Sequence, residues 1–382
     1  MTLDEAEALR ETLSAEFARA GAMNLVQQRI DARRINGFVR SLMERPMREL
    51  PRIFAASEPS LVGAARSGRA LKSAAFPPLS RIIAHGVADD AKPNLSIGFS
   101  APAKNDYRLE VRLQNPTVAT VLYAQEVVRR AKGQARIAEY RELRCHSGSR
   151  AAATAAGLSI GHSIGHAKGQ AGSIGLFVSS PGGVGVLSNS HILARCGRAR
   201  RGDSIYAPHH TDFRSPPKVA LLREFCSLIQ DDAVPFDAAF ATLIDGVVHS
   251  GNKIPTGLPG GGKRIVAARS KPEPGRLKVS KIGRTSGHTT GIFSAVGVSP
   301  TLEYAGLGEV KLTGMLEILW DRPDKAFSQP GDSGSVVFRP DTMEAIALVV
   351  GGGVRMVDGV SEGVSIACPL DQAMTEWNLR LL

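Results

Sequence analysis

Cysteine is scarce in this chain. Its 382 residues hold four, Cys145, Cys196, Cys226 and Cys368, with no CxxC pair among them, which argues against a disulfide framework and against a structural zinc site and favours reduced thiols. Long apolar runs are missing too: no stretch of eighteen apolar residues occurs, so no membrane span is expected. The start, Met1-Thr2-Leu3-Asp4-Glu5-Ala6-Glu7, is acidic and lacks the basic-then-apolar order of a secretory leader. A soluble, cytoplasmic protein is the expectation. Aromatic residues make up only 5%, whereas there are 40 glycines and 22 prolines; many tight turns suit a β-rich body better than a helical bundle.

What the chain does have is basic charge and enough apolar residues for a core. At 43% apolar content and 40.5 kDa, two or three structural units are expected. The net charge of +11 is uneven: residues 1–150 carry 24 Lys+Arg against 16 Asp+Glu, and the remainder 23 against 20. Twenty of those first 24 cations are arginine, the better residue for pairing with carboxylate or phosphate. The plain account is a solvated basic surface, because no nucleic-acid-binding motif accompanies the charge. An acidic partner, nucleic acid included, is the alternative.

Taken in order, the chain divides as follows. Residues 1–56 are a helical segment: Leu3, Ala6, Leu9, Leu13 and Phe17 form one apolar face, and Val26, Ile30, Ile35, Phe38 and Leu42 a less regular second stripe. Residues 57–92 read as a connector. Residues 93–145 read as a small α+β unit, with strands around Leu95–Phe99 and Tyr107–Leu113, a helix over Val118–Lys132 and a returning strand from Ala135. The repeat Ser159-Ile160-Gly161-His162 and Ser163-Ile164-Gly165-His166 spaces two histidines by four. Its glycines oppose a helix and no third ligand is evident, so neither a metal nor a cofactor is called for. A first β unit spans 159–245, a Gly/Pro-rich linker 246–275, and a second β unit with a C-terminal helix 276–382.

Three stretches carry the chemistry. Gln329-Pro330-Gly331-Asp332-Ser333-Gly334-Ser335 puts small, flexible residues on both sides of one serine, which suits a hydroxyl standing clear of its backbone with N–H groups free to face an oxyanion. Upstream lie Ser190-His191 after a strand and Phe236-Asp237-Ala238-Ala239 at a strand start. Singly, each has an ordinary reading as a packed histidine, a turn cap or a loop hydroxyl. Together, and in the order His, Asp, Ser, they resemble the three signatures of the trypsin-like (chymotrypsin-fold) serine proteases. The turn Gly283-Arg284-Thr285-Ser286-Gly287-His288-Thr289-Thr290-Gly291 is similar to one in bacterial branches of that family. The resemblance covers about residues 159–380.

The resemblance implies an all-β double antiparallel β-barrel, chymotrypsin-like, preceded by the N-terminal helical and α+β unit. It implies Ser333 as nucleophile, His191 as general base and acid, Asp237 as orienter of the imidazole, and the backbone N–H groups of Gly331 and Ser333 as oxyanion hole. It also places Phe327 at the base of the primary pocket with Gly352 and Gly363 near its walls, which suggests a small or apolar substrate side chain. The histidine signature lacks the cysteine that secreted relatives place next, and no Ile-Val-Gly-Gly-like start is present, so activation by a freed N-terminus on Asp332 is not expected. The reading is a serine endopeptidase acting on protein or peptide substrates, held in check or recruited through residues 1–150. The rival reading is a catalytically silent binding or scaffold protein of the same fold.

Overall fold

Thr2 and Glu5 begin the first helix by capping each other's backbone: the Thr2 N–H donates to Glu5 Oε2 at 2.8 Å and the Glu5 N–H to Thr2 Oγ1 at 3.2 Å. The computed structural model describes residues 1–27, 94–103, 106–116, 118–146, 157–268 and 277–382. Beyond residue 27 the second apolar stripe, like the connector of 57–92 and positions 269–275 of the linker, lies outside the described residues. Helix α1 (Leu3–Gln27) buries Ala6 and Leu13.

Two strands, β1 (Asn94–Ala103) and β2 (Asp106–Gln114), form a hairpin, and helix α2 (Val118–Arg130) carries the chain over to β3 (Ala135–Cys145), parallel to β2. Valines on one face of α2 and the alternating Leu109, Val111 and Leu113 of β2 close a local core with Leu13.

The first β-barrel-like sheet contains β4 (Ser163–His166), β5 (Gly172–Ser173), β6 (Leu176–Ser180) and β7 (Gly183–Ser188), then, after the one-turn helix α3 (Ser190–Leu193), β8 (Ser204–Tyr206) and β9 (Lys218–Phe225). The short β10 (Ala233–Val234) leaves for the other sheet before β11 (Ala239–Leu243) returns, and the strand order is β6-β7-β11-β9-β8-β4-β5, with the C-terminal strand Arg380–Leu381 added beside β6.

The second sheet takes β12 (Ala267–Ala268), β13 (Lys278–Gly283), β14 (Gly287–Val298), β15 (Thr301–Tyr304), β16 (Gly308–Leu312), β17 (Met315–Trp320), β18 (Val336–Phe338), β19 (Glu344–Val357) and β20 (Val360–Pro369). Helix α4 (Asp371–Glu376) follows, and β21 (Arg380–Leu381) crosses back to pair with β6. Gly314, at φ +73°, turns the chain between β16 and β17.

Strands β1 to β3 do not form a sheet of their own. They continue the second sheet, with β1 pairing β14 at Phe99↔Val296 and β3 running antiparallel to β19 from Met356↔Glu139 to Gly351↔Cys145. A buried ionic cluster joins the same elements. Arg112 of β2 makes a two-pronged bond to Glu317 of β17, at 2.6 and 2.9 Å, and Glu317 also binds Arg355 of β19 and the Tyr140 hydroxyl of β3. Burial alone would raise the Glu317 pKa; the Arg112 and Arg355 guanidiniums outweigh it and hold the carboxyl well below the usual range.

The glycines Gly351-Gly352-Gly353 lie inside β19. A Cβ on Gly351 would stand 2.1 Å from the Arg144 carbonyl oxygen, and one on Gly353 2.5 Å from that of Glu142. Missing side chains are what let β3 approach this closely.

Candidate active site

Strands β7 and β11 pair with Ala239 opposite Ser188, so the residues just past one strand end and just before the other meet at the same edge of the first sheet. Those residues are Asn189 to His191 and Asp237. The Asn189 side-chain amide donates to the Asp237 carbonyl at 2.6 Å, and the His191 N–H donates to Asp237 Oδ1 at 3.2 Å. Nδ1 of His191 lies 2.5 Å from Asp237 Oδ2. With the carboxylate accepting there, Nδ1 carries the proton and Nε2 has the free lone pair. Both side chains are buried, and Nε2 has no hydrogen-bond partner among the described residues. A base in this state can take a proton from a hydroxyl brought against it.

A third residue comes from the other sheet. Tyr304, at the end of β15 and buried, donates its hydroxyl to Asp237 Oδ2 at 3.1 Å, and its ring meets that of His191 edge-on, centroids 5.4 Å apart. A lone tyrosine in a short strand gives no signal in the sequence for this role.

Ser333 sits in the loop between β17 and β18, pinned across the cleft. Its carbonyl accepts from the Ser173 N–H of β5 at 2.7 Å, and the Gly334 N–H donates to Val349 of β19 at 2.8 Å. Gly331 and Gly334 hold φ of +97° and +86°, and a Cβ on Gly334 would lie 2.0 Å from Ser188 Oγ. The loop therefore requires glycine on both sides of the serine. The Ser333 hydroxyl is within donating reach of the Val350 carbonyl, 2.8 Å, and the His146 carbonyl, 2.9 Å, and is not bonded to His191. Gly331 turns its N–H onto that same His146 oxygen at 3.2 Å.

Asp332 is held from beneath. Lys281 of β13 places its ammonium 2.9 Å away, the N–H groups of Thr285, Ser286 and Gln329 donate at 2.9, 3.1 and 2.9 Å, and the Ser286 hydroxyl donates as well. Burial would push this carboxyl up, but Lys281 and the Ser286 hydroxyl bring it below its ordinary value. An internal lysine thus fills the place beside the aspartate preceding the serine. The signal was Lys281 itself, a cation inside the strand-like run Val279-Ser280-Lys281-Ile282.

Of the residues that the sequence assigns to a pocket, Gly352 faces the cleft: a Cβ there would be 3.1 Å from His146 Nε2. Phe327 is fully buried with Val279, Phe293, Ile318 and Val337 in the core of the second sheet, and Gly363 lies against the Trp320 ring. The polar lining beside His146 comes from Ser328 and Ser365, whose hydroxyls are 2.7 Å apart. His162 and His166 do not converge: Nδ1 of His162 accepts from the Ser159 N–H, and Nε2 of His166 meets Asp203 at 3.1 Å.

Of the two β-barrel-like sheets, one bears the histidine and aspartate and the other the serine loop. The chain has a chymotrypsin-like fold. Solved structures similar to it are a Nocardiopsis protease, at 18% identity and TM-score 0.42, Thermobifida fusca protease A, at 15% and 0.40, and a Cellulomonas bogoriensis chymotrypsin, at 17% and 0.40. Each likeness covers 59% of this chain and 99% of the other. No protein-family model and no curated protein matches the sequence. Among the described residues no helix is long and apolar enough to cross a membrane.

Proposed function

We propose that this chain is a serine endopeptidase. The observation that carries the reading is the buried Asp237–His191 pair, whose Nε2 has no hydrogen-bond partner among the described residues, while Ser333 and the Gly331 N–H converge on one peptide carbonyl. His191 would take the Ser333 proton as Oγ attacks a carbonyl carbon, and return it to the departing amine; water would then release the acyl group by the same route. Asp237, fixed by Tyr304 and Asn189, would hold the tautomer and stabilise the imidazolium. Residues 1–146 act as the regulatory part, since β3 runs along the edge strand where an extended peptide would add. Cys145, Cys196, Cys226 and Cys368 are all unpaired, which supports a reducing compartment such as the cytoplasm.

The test is Ser333→Ala. The folded variant loses cleavage of peptide bonds by about four orders of magnitude; equal cleavage by variant and parent refutes the assignment. The bonds of Ser333 to two carbonyls instead of His191 favour a second reading, a silent binding protein. A fluorophosphonate probe separates the two, because only an activated serine is phosphonylated.

A further inference from the structure

The repeat at 159–166 does not gather its histidines, but its first half shapes a cavity. Gly161 holds φ +79°, and a Cβ there would stand 2.9 Å from the Ile282 carbonyl oxygen, so a glycine is what lets this segment lie against β13. The segment is tied on its other side too, the Leu158 N–H donating to the Val248 carbonyl at 2.8 Å. Beside it lies a cavity of about 690 Å³, walled by the first sheet, the chain that follows β11 and the end of β13. Seams between structural units are favoured places for small-molecule sites, which run from about 300 to 1,000 Å³.

Its walls are apolar and its polar groups are already engaged. Leu158, Ile160, Val219 and Ile282 line it and are buried. Ser163 and Arg284 border it as well, yet both bind Asp212: Ser163 Oγ donates at 2.5 Å, and the Arg284 guanidinium grips both carboxylate oxygens. Among the described residues, none of the unpartnered buried side-chain polar atoms belongs to a lining residue, so the interior calls for no hydrogen bond. The apolar lining also reaches solvent: Phe213 and Val248 border the cavity and are 47% and 73% exposed. Lys218 is exposed on the same border, and no aspartate or glutamate lines the cavity. Burial lowers the His162 pKa, which keeps that imidazole neutral near pH 7, and Asp212 matches Arg284. Lys218 is therefore the charge left at the opening.

We infer that this cavity binds a long-chain fatty acid, its hydrocarbon against Leu158, Ile160, Val219 and Ile282 and its carboxylate at Lys218. Walls without open hydrogen-bonding groups suit a hydrocarbon; a peptide or a sugar would leave its own polar atoms unpaired there. One lysine with no carboxylate on the same lining suits a single negative charge. Because each buried methylene adds its transfer from water, affinity climbs with chain length, about fourfold per methylene, until the cavity is full. The site is separate from the serine cleft, since His191, Asp237 and Ser333 are not among its lining residues. It stands or falls independently of the peptidase reading.

The test is calorimetric titration of the delipidated full chain with dodecanoate, kept below its micelle concentration. Saturable one-to-one binding is expected, with decanoate about tenfold weaker or more. Dodecyltrimethylammonium, which has the same chain and the opposite charge, is expected to bind about fivefold more weakly than dodecanoate. Lys218→Glu, a change to an exposed side chain, is expected to weaken dodecanoate about fivefold and to erase that preference. Val248→Asp sets a carboxylate on the apolar border and is expected to do the same or more, whereas Val360→Asp, at a valine 62% exposed but outside the cavity, leaves binding as in the parent. Absence of saturable dodecanoate binding, or equal binding by Val248→Asp and Val360→Asp, overturns the site. Equal binding of the two amphiphiles by the parent, or of dodecanoate by parent and Lys218→Glu, overturns the selection of a carboxylate.

Discussion

Lys281 and Asp332 form an ion pair of 2.9 Å with neither side chain exposed, directly beneath the serine loop. Breaking a buried pair from one side strands the other charge, which costs about 3–5 kcal/mol. Lys281→Met is expected to lose stability near the lower end of that range, because three backbone N–H groups remain on Asp332. Urea unfolding measures it, and a loss below about 1 kcal/mol contradicts a charged Asp332.

Tyr304 reaches Asp237 from the opposite sheet, so it orders the carboxylate without touching a substrate. Tyr304→Phe removes one hydrogen bond to a charged group, worth about 1.5–3 kcal/mol. The expected outcome is kcat about tenfold or more lower with KM unchanged. A KM effect alone would place Tyr304 in substrate binding instead.

Arg112 joins the N-terminal strands to the second sheet through Glu317. Arg112→Met is expected to cost about 3–5 kcal/mol in denaturant unfolding, whereas Arg129→Met, at an exposed helix pair with Glu126, leaves the midpoint where it is. Equal effects would show that the buried cluster holds nothing together.

Acid should undo the same cluster. The folded-state pKa of Glu317 is depressed, so its contribution is complete above the ordinary carboxylate value of about 4 and fades as pH falls below it. For His146 the sign is similar and the window higher. Held near 4 in the cleft by burial, it docks fully above about 6.5 and less well as pH drops from there toward 4, since the undocked ring takes up the proton first. Amide exchange over residues 141–146 in Ser333→Ala, corrected for intrinsic rates, should rise between pH 7 and 5; a flat profile contradicts it.

Gly353→Ala tests the approach of β3. The added methyl falls 2.5 Å from the Glu142 carbonyl and 2.8 Å from that of Arg141, an overpacking worth about 1–3 kcal/mol. It is expected to loosen β3 from β19 and to raise cleavage of added peptides. An unchanged rate with unchanged exchange would show that β3 does not occupy the binding edge.

The sequence alone determined the β-rich character of residues 157–382 and the βαβ succession before it, because alternation, turn glycines and helical spacing are local properties of the chain. It also determined which serine, histidine and aspartate to single out, each inside a short stretch of its own. Only the tertiary structure decided that Tyr304 and Lys281 support that site and that Phe327 belongs to a core, since each outcome depends on a strand from elsewhere in the chain. The same holds for His146. Whether the residue just past the end of one strand lies in solvent or gives its carbonyl to a serine 187 positions later is set by which sheet edge that strand joins, and that pairing is a contact between distant segments.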